Sequence, residues 1–179
     1  QCLHCMQNQD RQPILQNQKS KELPDDSWEL RAENGSKGTA HIFLAAGHET
    51  LSRPMLVVEG FPGGQSSKVI YGAMNQHNAL IDLQASGHDI VLLTFAVGTD
   101  LIQSNAQVVE ACIDAVVKIT KTPMVVCGIS MGGLVARYAL TDMEYRNKEH
   151  NARIFLTIDT PHQGAYTSIS AQWFAHYFA

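Results

Sequence analysis

The chain has no apolar run long enough to cross a bilayer, which leaves a membrane-embedded helix out of account. It is also short of positive charge: 13 Lys and Arg against 17 Asp and Glu give a net charge of -4. That balance provides no electrostatic footprint for nucleic acid or an anionic membrane. Four cysteines in 179 residues are too few for a disulfide framework. Cys112 falls on an apolar helical face and Cys127 in an apolar run, so both read as buried thiols. Cys2-Leu3-His4-Cys5 has metal-like spacing but lacks a second pair. A polar disordered tail, a zinc half-site and a local disulfide are the readings it leaves open. No His, Asp and Glu cluster marks a metal site, and no Gly-Lys-Ser/Thr ending marks a phosphate loop. No cofactor is expected. No charged-then-apolar leader and no initiator Met opens the chain, so a processed product or a piece of a longer protein is expected.

Residues 1–38 are rich in Gln, Asn and Lys and read as a polar N-terminal extension, with Trp28-Glu29-Leu30 a candidate short edge strand. From Thr39 the texture changes. The runs His41–Ala46, Pro54–Glu59, Ile90–Phe95, Met124–Cys127 and Ile154–Ile158 are apolar and strand-like, with almost no polar alternation. Continuous apolar strands are what a sheet covered on both faces requires. Between them lie helical stretches. One is expected around Asn75–Ser86 and stopped by Gly87. A longer one carries Ile102, Ala106, Val109, Ile113 and Val116 at spacings of four and three, with Asp100 and Gln103 as a capping box. Strands alternating with helices predict an α/β fold, a mainly parallel sheet with helices on both faces. Ligands in such sheets bind at the C-terminal strand edge. The Gly60 loop, Asp100, Ser130 and the Asp159 loop all map there.

Gly128-Ile129-Ser130-Met131-Gly132 carries the chemistry. It follows an apolar strand and precedes the helical Gly133–Leu140 stretch. A sharp strand-to-helix turn holds its tip serine in a strained conformation, and small neighbours let strand and helix approach. The hydroxyl then faces outward at the positive end of a helix dipole. The plainer alternative is a Gly-rich strand-to-helix turn, such as a phosphate cradle, in another α/β protein.

Two stretches in order resemble the lipase branch of the α/β-hydrolase superfamily, including GPI inositol-deacylase-like proteins. Gly128–Tyr138 is similar to the lipase elbow G-H-S-x-G-G-L-x-A-R-Y, and Thr157–Ala165 to T-I-x-T-P-H-x-G-S. The likeness covers about residues 40–168 and makes 39–179 a partial domain of this fold. Ile129 stands where the family has His, a position outside the catalytic triad. Glu59 stands where the family has the His of His-Gly. A carboxylate facing the site opposes a developing oxyanion, so Glu59 is expected to point away or to be paired.

The resemblance implies a serine ester hydrolase acting on a small-molecule or lipid ester with an apolar acyl group. Ser130 is the nucleophile, and the backbone N–H groups of Met131 and Phe61 are the oxyanion donors. Phe61, Met131 and Leu101 side chains are candidates for an acyl wall, with ordinary packing as the alternative. An acyltransferase or amidase using the same serine is the second enzymatic reading. A catalytically silent binding module of the same fold is the third. The family order is Ser, then acid, then His. With about five core strands before Ala179, the acid and base are expected beyond it, which makes the chain a fragment inactive alone. Asp159 is the acid candidate inside the chain. His162 is expected to be structural, His88 to lie at the opposite edge, and Asp100 to be a helix cap. The tail Trp173–Phe178 is expected to lack cover. Lipases of this type are often exported, though no export signal is visible. Nothing in the sequence sets the oligomeric state.

Overall fold

The computed structural model describes residues 23–166, 168–170, 172 and 173. The Cys2–Cys5 pair and residues 174–178 of the apolar tail lie outside the described residues. Six strands form one sheet among them: β1 (Asp26–Arg31), β2 (Lys37–Phe43), β3 (Pro54–Val58), β4 (Asp89–Phe95), β5 (Met124–Ile129) and β6 (Ala152–Ile158). Their spatial order is β1-β2-β4-β3-β5-β6. β4, β3, β5 and β6 run parallel, while β1 and β2 join antiparallel at one flank. The helices are α1 (Ser67–Met74), α2 (Ala79–Ala85), α3 (Ile102–Ile119) and α4 (Met131–Tyr145), with a 3-10 turn at Gln76–Asn78.

The sheet is covered on both faces, as the apolar runs require. Leu56, Val58, Val91, Leu93 and Val126 turn toward a core closed by α3 and α4 through Val109, Ile113, Val116, Val135 and Met143. Alternate residues Met55, Val57, Ile90 and Leu92 turn the other way, onto Ile70 and Tyr71 of α1 and Leu80 of α2. All of β3 and β4 is buried. A fully buried Leu or Val there contributes about 2 kcal/mol relative to exposure. β6 is different. It is nearly as apolar, yet Ile154, Leu156 and Ile158 are each close to half exposed.

Three expectations change. The polar extension does not reach residue 38, because Asp26–Arg31 pairs with β2 through its whole length, Trp28 opposite Ala40 and Leu30 opposite Gly38. Trp28 and Leu30 pack on the core while Ser27, Glu29 and Arg31 alternate with them, a period-two pattern inside a polar composition. The single helix expected over Asn75–Ser86 is instead α2 preceded by the 3-10 turn, with a separate α1 upstream. Ser66 caps α1, its side chain accepting from the Val69 amide. Gly87 does follow the C-terminus of α2 with a left-handed φ of 85°. The Asp100–Gln103 capping box does not form. The N-cap of α3 is Leu101, and the Asp100 carboxylate accepts from the adjacent Leu101 amide instead.

Candidate active site

β5 ends at Ile129 and α4 begins at Met131, so one residue makes the turn between them. That residue is Ser130, with φ 51° and ψ -124°, a region L-residues rarely occupy. Its amide donates to the Ile158 carbonyl at 2.8 Å, and its own carbonyl accepts from Gly133 at 3.1 Å. Both bonds hold the strained backbone from either side. Ser130 is half-buried.

The neighbouring glycines are required by contact. A Cβ at Gly128 falls 2.3 Å from the Gly133 Cα, and one at Gly132 falls 2.2 Å from the Glu59 carbonyl oxygen. Strand and helix therefore cross backbone to backbone. Met131 supplies one of the first amides of α4, which have no intrahelical acceptor and carry the positive end of the helix dipole.

The loop after β3 closes the site from the other side. A Cβ at Gly60 falls 2.9 Å from the Ile129 carbonyl oxygen and 3.1 Å from Ser130 Cβ. Phe61, next along, is 65% exposed. A cleft of about 270 Å³ opens here, with Ser130, Glu59, Phe61, Gln65, Ile70 and Met74 among its lining. Its wall mixes an apolar side from α1 with polar groups near the serine. A larger groove of about 570 Å³ lies on the far flank, lined by ion-pairing side chains such as Glu110, Arg146 and Asp114. It offers no nucleophile.

Glu59 is paired, as expected. Its Oε1 accepts from the amides of Phe95 and Gly64, and the residue is 2% exposed. Burial pushes its carboxyl above the ordinary range, against those two donors.

The other candidates divide. Ile129 pairs with Ile158, so Ser130 and Asp159 leave adjacent strands at the same level. Asp159 is exposed, with φ 50°. His162 is tied to structure: its Nδ1 lies 3.5 Å from Arg137 Nη1 and its Nε2 3.2 Å from Thr157 Oγ1. An arginine can only donate, so Nε2 carries the proton and donates to Thr157. This links the helix of the first motif to the loop of the second. Thr160 adds to the link, since a Cβ at Gly133 falls 2.1 Å from its Oγ1. His88 bonds to Ser86 at the start of β4, the opposite edge. Leu101 is 69% exposed. Among the described residues no group of three or more metal-ligating side chains assembles. No described helix is long and apolar enough to cross a membrane.

Residues 71–178 match the family described as the PGAP1-like alpha/beta domain, which is more than half of the chain. The chain belongs to this family. No curated protein matches it. Solved structures place the PGAP1-like domain in the α/β-hydrolase fold. It is similar to the esterase Est22 (14% identity, TM-score 0.64, 84% of this chain and 47% of that one). It is also similar to XC6422 from Xanthomonas campestris, described as an α/β serine hydrolase without a lid (15%, 0.56, 82% and 65%). An esterase of the fungus Rhizomucor miehei is a third (18%, 0.57, 89% and 52%). The chain thus spans less than two thirds of the length of each.

The clamp made by Glu59 is the feature that sequence reasoning did not reach in full. The mismatch with His-Gly marked the position, but not its two amide partners, Gly64 in the loop that follows and Phe95 at the end of β4.

Proposed function

We propose that the PGAP1-like domain contributes the nucleophile and oxyanion pocket of a serine ester hydrolase acting on carboxylic esters with an apolar acyl group. The observation that carries this reading is Ser130, held at φ 51° between a strand end and a helix N-terminus, with the Gly60 loop against its Cβ. Such a turn costs on the order of 1–3 kcal/mol and persists where function requires it. Ser130 Oγ attacks the ester carbonyl, and its proton passes to a base. The carbonyl oxygen becomes an oxyanion facing the Met131 and Phe61 amides. Collapse expels the alcohol, which takes the proton back from the base. Water then repeats the sequence on the acyl-enzyme to release the acid.

The base is proposed to come from a part of the protein outside this chain. Two observations support that. His162 is engaged by Arg137 and Thr157, and among the described residues the apolar β6 is open on its outer side, as a strand is when further chain packs against it. Asp159 is the acid candidate at the right level of the sheet. The cleft's apolar wall from Ile70 and Met74 favours an acyl chain over a polar substituent.

A fluorophosphonate probe on the full-length protein should label Ser130, and Ser130→Ala should abolish labelling and cut p-nitrophenyl ester turnover by about 10⁴-fold or more. Turnover unchanged in Ser130→Ala would end this reading. A well-folded protein with neither labelling nor turnover would favour the binding-module reading.

A further inference from the structure

The loop carrying Phe61 has few means of staying in place. It is short and rich in glycine. Gly63 faces Gly98, where a Cβ would fall 2.6 Å from the Gly98 Cα, and a Cβ at Gly98 would fall 2.2 Å from the Pro62 carbonyl oxygen. These contacts fix how closely the loops after β3 and β4 approach. They do not supply a directional bond.

Glu59 supplies it. Its side chain turns back under the loop that follows it. One oxygen, Oε1, accepts from Gly64 at the far end of that loop and from Phe95 at the end of β4. Its backbone amide is bonded to the Leu93 carbonyl at 3.1 Å. Its carbonyl oxygen sits where the first turn of α4 crosses, 2.2 Å from a Cβ at Gly132. A single residue therefore joins the loop, the end of β4 and the turn that bears Ser130. Burial at 2% keeps water from competing for these bonds.

We infer that Glu59 is a positioning residue: it holds the Gly60–Gly64 loop at a fixed distance from the start of α4, so that the Phe61 and Met131 amides converge on one oxyanion. This rests on the ester-hydrolase reading for its chemistry, though the clamp itself does not. The carboxylate acts on the loop backbone and not on the substrate. The side chain must reach both amides, so acceptor position matters and charge is secondary. Glutamine retains an oxygen at the same reach. Aspartate keeps the charge and loses the reach by one carbon.

The test uses the full-length protein and two readouts. In amide hydrogen exchange, Glu59→Ala should speed exchange at Gly64 and Phe95 by about tenfold or more while Val126, in β5, stays protected. Glu59→Gln should stay within about threefold of wild type at both amides. In ester turnover, Glu59→Ala should lower kcat by about a hundredfold, the loss of one oxyanion donor, with KM changed by less than about threefold. Glu59→Gln should recover most of that loss. Where Glu59→Ala does not fold, Glu59→Asp gives the reading, and it should lose protection and kcat in the same pattern. Unchanged exchange at Gly64 in Glu59→Ala or Glu59→Asp overturns the clamp. Altered exchange with unchanged kcat overturns the positioning role. If Ser130→Ala leaves turnover intact, the hydrolase reading fails, while the exchange data still judge the clamp.

Discussion

Asp89 and Glu59 sit at opposite ends of neighbouring parallel strands, and both are almost wholly buried, at 0% and 2% exposure. Asp89 opens β4. Burial pushes its carboxyl up, but the amides of Ala45, Ser52 and Arg53 and the His48 ring, at 2.7–3.1 Å, together hold it below its ordinary range. Glu59 follows β3 with two amide donors on one oxygen, and there burial wins. The two carboxyls thus shift in opposite directions: four donors outweigh burial at Asp89, and two donors on one oxygen do not at Glu59. The N-terminal edge is a satisfied knot that ties the whole β2–β3 loop to the start of β4. The C-terminal edge, where the cleft lies, keeps an under-compensated carboxyl and a strained serine. Satisfied hydrogen bonding is concentrated at one end of the strands and the proposed chemistry at the other.

The strongest way to break this contrast is Asp89→Ala. It strands one buried and two partly buried amides, each worth up to about 1–3 kcal/mol unpaired, so a loss of about 3 kcal/mol is expected in urea melts. A loss under about 1 kcal/mol would mean that water replaces the carboxylate and the knot is not a knot. Gly132→Ala comes next. Its Cβ would meet the Glu59 and Val58 carbonyl oxygens at 2.2 and 2.5 Å, and no flexible side chain is available to yield. About 2–3 kcal/mol of destabilisation is expected, with loss of probe labelling at Ser130. Wild-type labelling in a folded Gly132→Ala would show that the elbow tolerates separation from β3.

How much of this the sequence reveals follows from where each signal is encoded. β3, β4 and β5 are legible because a strand buried on both faces must be apolar at every position. The elbow is legible because close approach demands glycine at 128, 132 and 133, and the three fall within six consecutive residues between a strand and a helix. β1 is only half legible: Trp28-Glu29-Leu30 marks an edge strand, but its extent from Asp26 to Arg31 is masked because only Trp28 and Leu30 need face the core and the other residues are polar. The division of Asn75–Ser86 is hidden because a turn at Gln76–Asn78 leaves no break in composition. Asp89 and Glu59 are harder still. A lone carboxylate beside an apolar run looks like a strand boundary, while the partners of Asp89 lie 36 to 44 residues away in the β2–β3 loop and Phe95, which binds Glu59, lies 36 residues away at the end of β4.

A smaller effect sharpens the comparison through its sign. For Asp89, folded-state depression means the contribution is present above the ordinary value of 3.8 and is lost as pH falls through the lowered one. The melting gap between wild type and Asp89→Asn should therefore shrink on acidification. For Glu59 the folded value is raised, so its contribution is present below the ordinary 4.5 and lost as pH rises through the raised value. Glu59→Gln should gain on wild type as pH rises. Gaps that move together with pH would show that the two edges are not electrostatically distinct.

The smallest expected change in stability is at the serine itself. Ser130 holds φ 51° and ψ -124°, a conformation that costs a side chain about 1–3 kcal/mol and glycine almost nothing. Glycine adds unfolded-state freedom worth about 0.4–1 kcal/mol, which offsets part of the gain. Ser130→Gly should therefore be more stable by about 1 kcal/mol in urea melts while turnover is lost with the hydroxyl. Ser130→Ala separates the two effects, since it removes the same oxygen and keeps the Cβ. It should lose turnover equally and gain no such stability. Equal stability of the two variants would place the strain outside this backbone, and the turn could no longer be read as conformational energy held in reserve for the oxygen it presents.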